Sequence, residues 1–402
     1  MNITTIEELN AEEAKQHIGG VVFVAILMIV GFVGNLHVLI VYAFFMKPSN
    51  HRIFILVLGT LDFITCIIGM PFIIVDLRNP LTFTLSSACK ILRFINYFIC
   101  SASALTLIII ATDRYRKICV PFGKQITQKV ASLLCGLMLF VAMLLSWPAP
   151  ILFGIRRVET GTNLTGTRCW TEDKPNYDDL QAYFNVVLIL CVFIVFVVLV
   201  VLYTLIGRVI SKQNSFKRRE NGFKSPIPAP SQTTRASSTS ELSNVGDELP
   251  GNNTRCVNFI YQGKMEDEIR PKDLTTCDSN VNKSSAATRE PPTHHEENNG
   301  YKDDQSLKGY NRAKRTALIF FLITVIFFLS YFPHLTLIII DFVSEDFVQN
   351  LSFHGKVFYN TFLWSFFINN VANCFVYSFF DKKFRQEVKN VYRKFAFWKA
   401  MA

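Results

Sequence analysis

Seven long apolar segments run along the chain, and polar connections separate them. The segments are residues 19–46, 53–75, 94–112, 130–155, 180–207, 316–340 and 357–380. Apart from Asp62, none of them contains Asp, Glu, Lys or Arg. About 20 apolar residues of helix cross a bilayer core, and in lipid a continuous apolar run satisfies its backbone only as a helix. The pattern therefore predicts an all-α membrane fold, a seven-transmembrane helix bundle.

The polar stretches divide the chain around these spans. The predicted divisions are an N-terminus at 1–18, five spans within 19–211, a loop at 212–312, two spans within 313–380, and a tail at 381–402. The loop is rich in Ser, Thr, Asn, Pro and charge, so it cannot bury enough apolar area to fold and is predicted to be disordered. Its Ser and Thr residues are either phosphorylation sites or part of a passive spacer. In the tail, apolar residues at helical spacing among basic ones predict a C-terminal amphipathic surface helix.

The distribution of Lys and Arg predicts how the spans are oriented. The connections on the side of the C-terminal tail carry more than twice as many Lys and Arg as those on the other side. The cytoplasmic side is the positive one, so we expect the N-terminus outside and the C-terminus inside. The first apolar run is longer than a signal-peptide core and follows acidic residues, so it is predicted to be a true span. In this orientation, the loop at 212–312 that is predicted to be disordered is the third cytoplasmic loop.

Two features of the predicted outer segments agree with this orientation. Glycosylation sequons begin at Asn2, Asn163 and Asn350, and all three lie in segments predicted to be outside. Cys89 and Cys169 are the only cysteines of those segments. Two thiols in an oxidising exterior suggest one disulfide between the outer end of the third span and the second outer loop, whereas two unrelated free thiols are the alternative.

Composition disfavours several other classes of protein. Only 18% of the residues are charged, against about a quarter in soluble domains, which argues against a soluble enzyme. The net charge of +10 belongs beside anionic lipid, and no basic module with interleaved aromatic residues predicts nucleic-acid binding. The spans contain no charge ring or filter of a channel, and neither paired carboxylates, a His-rich metal set nor a Ser/His/Asp arrangement of a membrane enzyme.

Asp62 is the most unusual residue of the spans, because an intramembrane carboxylate is costly and must face the bundle interior with partners. Candidate partners in other spans carry neutral oxygens, and they are Asn35, Ser103, Asn369, Asn370 and Asn373. One carboxylate with several neutral oxygens is a reasonable site for a hard monovalent cation such as sodium, acting as an allosteric ion. The alternative is a buried Asp62 that amides alone satisfy, or a protonated one. A lone carboxylate is poor equipment for an ion-coupled carrier.

Short motifs occupy matching positions in several spans. The third span begins at Cys89 and ends in Asp113-Arg114-Tyr115, and the seventh contains Asn373-Cys374-Phe375-Val376-Tyr377, a variant of N-P-x-x-Y. Further matching residues are Gly34-Asn35, Val38, Leu58-Gly59-Thr60-Leu61-Asp62, Tyr203, Phe327, Pro333 and Phe384-Arg385. Over nearly its whole length, the central loop excepted, the chain resembles a rhodopsin-like (class A) G-protein-coupled receptor. Residues 113–119 with Pro121-Phe122 resemble those of invertebrate orphan and neuropeptide receptors.

This resemblance implies partners and a signalling switch rather than an enzymatic activity. The implied partners are an extracellular ligand, a heterotrimeric G protein, arrestin, receptor kinases and the lipids of the plasma membrane. By the resemblance, Arg114 pairs with Asp113 at rest and engages the G protein when the sixth span swings out. The other implied switch residues are Tyr115, Tyr203, Phe327, Tyr331, Pro333, Asn373 and Tyr377. Basic residues occupy 312–315, where many relatives carry an acidic partner for the Arg, so we expect a less firmly held resting state.

Several family positions carry unusual residues here. Tyr331 and Ser330 replace the Trp and Cys before Pro333, Cys374 replaces the seventh-span Pro, and Val195 stands at the fifth-span Pro position. Prolines kink helices by removing backbone hydrogen bonds. We therefore expect straighter fifth and seventh spans than in relatives.

The predicted ligand pocket is aromatic and of mixed polarity. Its residues by the resemblance are Arg93, Asn96, Tyr97, Cys100, His334, Leu335, Ile338, Tyr359 and Leu363. Asn96 stands where amine receptors carry an Asp, and the seventh span lacks the Lys of opsins, so both ligand classes are disfavoured. A short peptide agonist is favoured; a lipid or other small molecule is the alternative, and a seven-span carrier or channel a distant one.

Acidic residues near the predicted outer face could attract a cationic ligand. They are Asp76, Asp178, Asp179, Asp341, Glu345 and Asp346. Each of them could instead be a solvated loop charge, and exposed charges of that kind contribute little on their own.

Overall fold

The structure, a computed structural model, describes residues 5–160, 164–223, 297–344 and 347–401. The helices of these residues are α1 (Ile6–Gln16), α2 (Ile18–Phe44), α3 (Asn50–Ile64), α4 (Met70–Arg78), α5 (Ser86–Cys119), α6 (Gln128–Ser146), α7 (Ala149–Leu152), α8 (Tyr177–Phe223), α9 (Glu297–Val343), α10 (Phe353–Phe362), α11 (Phe367–Phe380) and α12 (Lys382–Met401). One antiparallel hairpin, β1 (Phe153–Glu159) with β2 (Thr165–Thr171), follows α7.

The helices form the predicted membrane bundle. Within the described ranges, 6 helical segments are long and apolar enough to cross a membrane, and they are the first six predicted spans. The seventh predicted span is also helical, but it consists of α10 and α11 joined by a tight turn. The prediction of an all-α seven-helix membrane fold is confirmed, with one small hairpin added to it.

The second span changes its winding just after Asp62. A π-helical turn, Thr65–Gly69, separates α3 from α4. Pro71 follows this turn, and a proline removes one helical N–H and crowds the carbonyl four residues earlier. A wider π turn relieves that conflict, and such turns are frequent at functional sites. The bulge thus separates the polar half of the second span from its outer half.

The fifth and seventh spans differ in how they tolerate the missing prolines. The fifth, α8, is continuous past Val195. The seventh is interrupted: the amide of Ser365 donates to the carbonyl of Phe362 at 3.0 Å, and that of Phe367 to Trp364 at 3.1 Å. This irregular turn lies well before position 374, and α11 is continuous past Cys374, so the expectation attached to the missing proline stays a prediction.

Neighbouring side chains compensate the broken backbone of the seventh span. His334 Nδ1 lies 2.6 Å from the carbonyl oxygen of Leu363, and Ser365 Oγ donates to the carbonyl of Ser330 at 2.8 Å. Cys374 lies further along, where a Cβ on Gly34 of the first span would collide with its sulfur. The sulfur therefore fills a close contact between the first and seventh spans.

Both ends of the predicted disordered loop are helical. The fifth helix continues beyond position 211 to Phe223, and the sixth begins at Glu297 rather than at 313. A helix already nucleated in the membrane propagates at low cost, so its extension needs no apolar face. Lys314 Nζ donates to Asn214 Oδ1 at 3.1 Å, so the extension of the fifth helix contacts the start of the predicted sixth span. The rest of the predicted loop, 224–296, lies outside the described residues.

The second outer loop forms the hairpin, in a register that pairs Ile155 with Cys169. Cys89 and Cys169 form a disulfide, so that prediction is confirmed. The first outer loop adds a short third edge: Phe83 N donates to Thr167 O at 2.9 Å, and Thr167 N to Leu81 O at 2.8 Å. The outer end of the third span is thereby tied to two loops.

Helix α1, within the N-terminal segment, lies across the outer ends of the second and seventh spans. Asn10 Nδ2 donates to the carbonyl of Arg78 at 3.2 Å, and Asn10 Oδ1 accepts from the amide of Leu81 at 2.9 Å. Asn360 Nδ2 donates to the carbonyl of Gln16 at 3.3 Å. These hydrogen bonds fix the N-terminal helix on the outer face.

The predicted amphipathic helix after the seventh span is α12. Asp381 caps it, since Oδ1 accepts from the amides of Lys383 at 2.9 Å and Phe384 at 3.3 Å. Oδ2 accepts from the hydroxyl of Tyr42 at 2.7 Å and lies 3.1 Å from His51 Nε2. Burial by itself would raise the pKa of Asp381, but the hydrogen bonds from His51 and Tyr42 outweigh it and lower the pKa to about 2. Asp381 therefore stays ionised as the joint between the bundle and α12.

Candidate functional site

Arg93 lies at the outer end of the third span between two aromatic rings. Its guanidinium carbon is 5.7 Å from the ring centre of Phe72 and 5.6 Å from that of Phe153. Nη2 donates to Asp76 Oδ2 at 2.7 Å and to the carbonyl of Cys169 at 3.2 Å. Nε is buried and has no partner within the described chain. The cation is therefore held from two sides, and its buried Nε donor is left without a partner in that part of the chain.

Deeper in the bundle, Tyr97 and Asn96 continue the row predicted for the pocket. The ring of Tyr97 packs 5.7 Å from that of Phe153 and 5.2 Å from that of Phe184. The side-chain oxygen Oδ1 of Asn96 faces the π turn at Gly69, and a Cβ added to Gly69 would lie 2.6 Å from it. Only glycine permits this approach, so the π turn and the third span together position Asn96.

Tyr331 and His334 of the sixth span form the floor of the predicted pocket. Tyr331 packs 4.5 Å from Phe327 and 5.7 Å from Phe366, measured between ring centres. The ring of His334 lies 4.7 Å from that of Phe366. Tyr97, Cys100, Tyr331 and Leu363 pack against one apolar cluster, so the structure brings these four predicted residues together.

The remaining predicted pocket residues lie further out. Leu335 and Ile338 are half-buried on the sixth span. Tyr359 is 8% exposed and its ring centre is 6.4 Å from that of Phe347 in the third outer loop. The predicted row on the sixth and seventh spans thus reaches the outer loop rather than converging on one point.

Acidic residues predicted to attract a cationic ligand are partly neutralised by the protein itself. Asp76 pairs with Arg93, and Asp178 accepts two hydrogen bonds from Arg156, at 2.6 and 2.9 Å. Basic residues of the third span and of the hairpin therefore reach both acids, and their attraction for a cationic ligand stays a prediction. Asp179 forms no ion pair within the described ranges.

Two further acids of that set lie outside the described residues, Glu345 and Asp346. Asp341 is exposed at the outer end of the sixth span. The hairpin end is also internally paired, since Glu172 contacts Lys174 at 2.6 Å and Lys90 at 3.3 Å, and the hydrogen bond from Lys174 lowers the pKa of Glu172. Of the described acids in that set, Asp76 and Asp178 are thus paired, and Asp341 is exposed.

Asp62 is fully buried and bound by two amides of the seventh span. Oδ1 accepts from Asn370 Nδ2 at 2.9 Å, and Oδ2 from Asn373 Nδ2 at 2.7 Å. Asn35 Nδ2 donates to the carbonyl of Asn370 at 2.8 Å, which ties in the first span. Asn369 is also buried, but the hydrogen bonds that Asp62 accepts come from Asn370 and Asn373. The polar core thus joins three spans.

Several oxygens of this core have no donor. Asn35 Oδ1, Ser103 Oγ and Asn373 Oδ1 are buried without a hydrogen-bond partner among the described residues. A buried polar group left unsatisfied costs about 1–3 kcal/mol. Two of the three belong to side chains already in the Asp62 network, so the core has acceptors to spare for a water or a cation.

The inner end of the third span gathers several donors on Asp113. Its carboxylate accepts from Asn50 Nδ2 at 2.8 Å and Lys117 Nζ at 3.0 Å, and it pairs with Arg114. Arg114 is 3% exposed, and its Nε has no hydrogen-bond partner in the part of the chain described. Its guanidinium carbon lies 5.4 Å from the ring centre of Phe320 on the sixth span.

The three tyrosines Tyr115, Tyr203 and Tyr377, all implied switch residues, form no hydrogen bond with Arg114 among the described residues. Tyr203 accepts a hydrogen bond from Thr324 Oγ1 at 3.4 Å. Tyr377 is fully buried, and its hydroxyl has no partner among the described residues. Tyr115 packs against a small apolar cluster at the inner ends of the fifth and sixth spans. Arg114 is thus paired as expected for a resting state.

Basic residues at the inner end of the sixth span turn away from Arg114. Arg315 donates to the carbonyl of Phe380 from Nη2 at 2.7 Å and from Nε at 3.0 Å. The partners that the structure gives Arg114 are Asp113 and Phe320. The sequence shows that the usual acidic partner of Arg114 is absent, but it does not reveal the contact with Phe320. An apolar helical pattern does not indicate which Phe contacts a cation.

The predicted glycosylation sites are described only in part. Asn350 is exposed between the sixth and seventh spans, and Asn2 and Asn163 lie outside the described residues. All three sites stay predictions.

Comparison with known proteins identifies the family. The model of the family "7 transmembrane receptor (rhodopsin family)" matches residues 34–377. This chain belongs to the rhodopsin family. The receptor is therefore a multi-pass membrane protein, and its family consists of receptors rather than enzymes. The crystal structure of squid rhodopsin aligns with a TM-score of 0.58 over 95% of this chain and 86% of that one, at 16% identity, which supports the fold alone.

The curated relatives are distant, and their names refer to different ligands. The receptor is 30% identical over 199 residues to a C3a anaphylatoxin chemotactic receptor of Oncorhynchus mykiss, covering 48% of this chain and 54% of that protein. It is 27% identical over 188 residues to a neuropeptide S receptor of Mus musculus, covering 46% and 48%. It is 29% identical over 144 residues to trace amine-associated receptor 4 of Mus musculus, covering 35% and 39%. The matches span about half or less of these relatives' length.

Proposed function

We propose that the receptor binds an extracellular peptide and activates a heterotrimeric G protein at the plasma membrane, with its N-terminus outside and its C-terminus in the cytoplasm. The observation that carries the signalling half is the buried Arg114–Asp113 pair, which faces the sixth span through Phe320. Where water is excluded, two opposite charges attract each other strongly, so the paired and the separated arrangements differ greatly in free energy. A movement of the sixth span can therefore switch it.

A peptide is supported by the outer site around Arg93. A cation with an unused donor, beside a carboxylate and two rings, suits the amides and charged ends of a peptide. The neuropeptide S relative agrees with this chemistry. An amine ligand is not supported by the trace-amine relative alone, because Asn96 offers no carboxylate for an ammonium group.

A panel of ligands tests this proposal directly. Cells that express the receptor with sensors for each G-protein class would be exposed to short peptides, lipids and amines. We expect peptides to elicit the response. Arg93→Gln removes the charge but keeps a hydrogen-bonding side chain, and we expect it to weaken peptide potency about tenfold.

The matched control for that variant is Arg157→Gln, an exposed arginine of the hairpin, which we expect to leave potency unchanged. A response to lipids with silence toward every peptide would overturn the peptide assignment and keep the receptor. A response to amines would instead show that Asn96 does not decide the ligand class.

We also propose that a sodium ion binds at Asp62 as an allosteric modulator. The donor set fits: a buried carboxylate stands among neutral oxygens, and Asn35 and Asn373 each keep a buried oxygen without a donor. Hard cations prefer such oxygen ligands. When bound, the ion would supply positive charge that offsets the carboxylate, and the surrounding side chains would hold the second and seventh spans together.

Replacing Asp62 by Asn is expected to remove the response to sodium. The melting temperature of the purified wild type should rise in NaCl but not in choline chloride, since a ligand of the folded state stabilises it. In Asp62→Asn the two salts should act equally, because the charge that attracts the ion is gone. Asn360→Ala is the control, since Asn360 bonds only outside this core, to Gln16. Equal sodium responses in Asp62→Asn and wild type would refute the site.

A further inference from the structure

Arg114 lacks an acidic partner on the sixth span, yet a side chain of that span lies directly on it. The guanidinium carbon stands over the ring of Phe320, 5.4 Å from its centre. Arg114 is 3% exposed and Phe320 is 0% exposed. The negative face of an aromatic ring attracts a cation, and the attraction is strongest where water is excluded. The contact is therefore a stabilising one and joins the third span to the sixth.

The ring of Phe320 is held in orientation from its other sides. His51 meets it at 5.3 Å with an interplanar angle of 75°, whereas Phe54 lies further off, at 6.5 Å. His51 is itself fixed, because its Nε2 lies 3.1 Å from Asp381 Oδ2. Edge-to-face contacts of this kind are favourable and directional. His51, held in place by Asp381, thus keeps the face of Phe320 turned to Arg114.

Asp113 alone does not explain how Arg114 is held against the sixth span. That carboxylate lies on the same helix as Arg114 and is shared with Asn50 and Lys117. A pair within one helix cannot restrain a neighbouring helix. Arg315, the basic residue that faces this end of the bundle, binds the carbonyl of Phe380 instead. The observed link from Arg114 to the sixth span is Phe320.

We propose that Phe320 is the positioning residue that holds Arg114 and the inner end of the sixth span together at rest, through a cation–π contact in place of an acidic side chain. This rests on the proposed function, in which Arg114 engages the G protein. Outward movement of the sixth span carries the ring away and frees the guanidinium in one motion. Loss of the ring should therefore favour the active arrangement without ligand.

Replacement of Phe320 by Leu tests the contact against simple packing. Basal G-protein activation should rise about three- to tenfold at equal surface expression, as expected for removing a buried cation–π contact. Phe54→Leu is the matched control: it removes a neighbouring buried ring that contacts Phe320, while the ring over Arg114 remains. Its basal activity should stay near wild type.

A fluorinated series at position 320 isolates the electrostatic part. Mono-, di- and trifluorophenylalanine keep the shape of the ring while progressively weakening its negative face. Basal activity should increase step by step with fluorine number. A flat series, or equal activation by Phe54→Leu and Phe320→Leu, would assign Phe320 to packing only and overturn the proposal.

A conformational readout separates this proposal from the proposed function. Spin labels at the exposed positions Arg116 and Arg312 report the distance between the third and sixth spans in the purified receptor without G protein. Phe320→Leu should shift that distribution to longer distances, and Phe54→Leu should not. A shift without any G-protein activation would sustain the role of Phe320 and reject the coupling role of Arg114. Unchanged distances would reject the role of Phe320.

Discussion

Replacing Arg114 by Ala is expected to abolish agonist-stimulated G-protein activation while the receptor still reaches the cell surface. Arg114 is the buried cation at the inner end of the third span, and the proposed signal passes through its release from Asp113 and Phe320. Alanine offers no group that a G protein could bind in its place. We expect signalling to fall to the level of untransfected cells, measured with sensors for each G-protein class and corrected for surface expression.

Arg116→Ala supplies the matched control for this variant. Arg116 is exposed on the same helix, two residues further on, and carries the same charge. It should retain most of the wild-type response. Normal signalling by Arg114→Ala at matched expression would remove Arg114 from the coupling step and leave the G-protein assignment without its main support.

Removing the disulfide should cause the second large effect. Cys89 and Cys169 close a loop with a sequence separation of 80, and in the chain-entropy model such a cross-link contributes about 4 kcal/mol. Membrane insertion already restrains both ends, so we expect a smaller net loss of stability, about 2 kcal/mol. Because the disulfide also holds the main-chain carbonyl of Cys169 beside Arg93, agonist affinity should fall at least about tenfold in Cys169→Ser.

Agonist binding to purified receptor and its melting temperature measure this effect. Cys89→Ser, Cys169→Ser and the double variant should behave alike, because each removes the same bond. Cys191→Ser changes a cysteine that takes no part in the disulfide and should bind agonist like wild type. If the double variant kept its affinity, the hairpin would be held in place by the first outer loop rather than by the disulfide.

Features governed by apolar periodicity and by simple counting could be predicted from the sequence. The bundle and the amphipathic α12 follow from local patterns, and the disulfide follows from the count of two cysteines in the predicted outer segments. The polar core was predictable in part: Asp62 needed partners in other spans, and Asn373 is one of them. The choice between Asn369 and Asn370 was not predictable, because it depends on the rotation of the seventh span around its irregular turn.

Features that depend on long-range pairing escaped prediction. The hairpin is stabilised by its pairing with residues 81–83 and by the disulfide, and its sequence does not alternate clearly. The pairing of the outer acids could not be predicted for a related reason. Whether Asp178 attracts a ligand depends on Arg156, whose neighbourhood to it exists only in the folded loop. Charge along a sequence does not reveal which charges cancel each other in space.

The carboxylate of Asp381 links α12 to the first and second spans. One oxygen caps α12, and the other is gripped by Tyr42 of the first span and His51 of the second. The seventh span ends at Phe380 and α12 begins at Lys382, so Asp381 lies between them. A rotation at the inner end of the seventh span must either turn α12 or break its cap. A fluorophore near the C-terminal end of α12 would therefore be displaced much further than the residues of the bundle when the bundle rotates slightly.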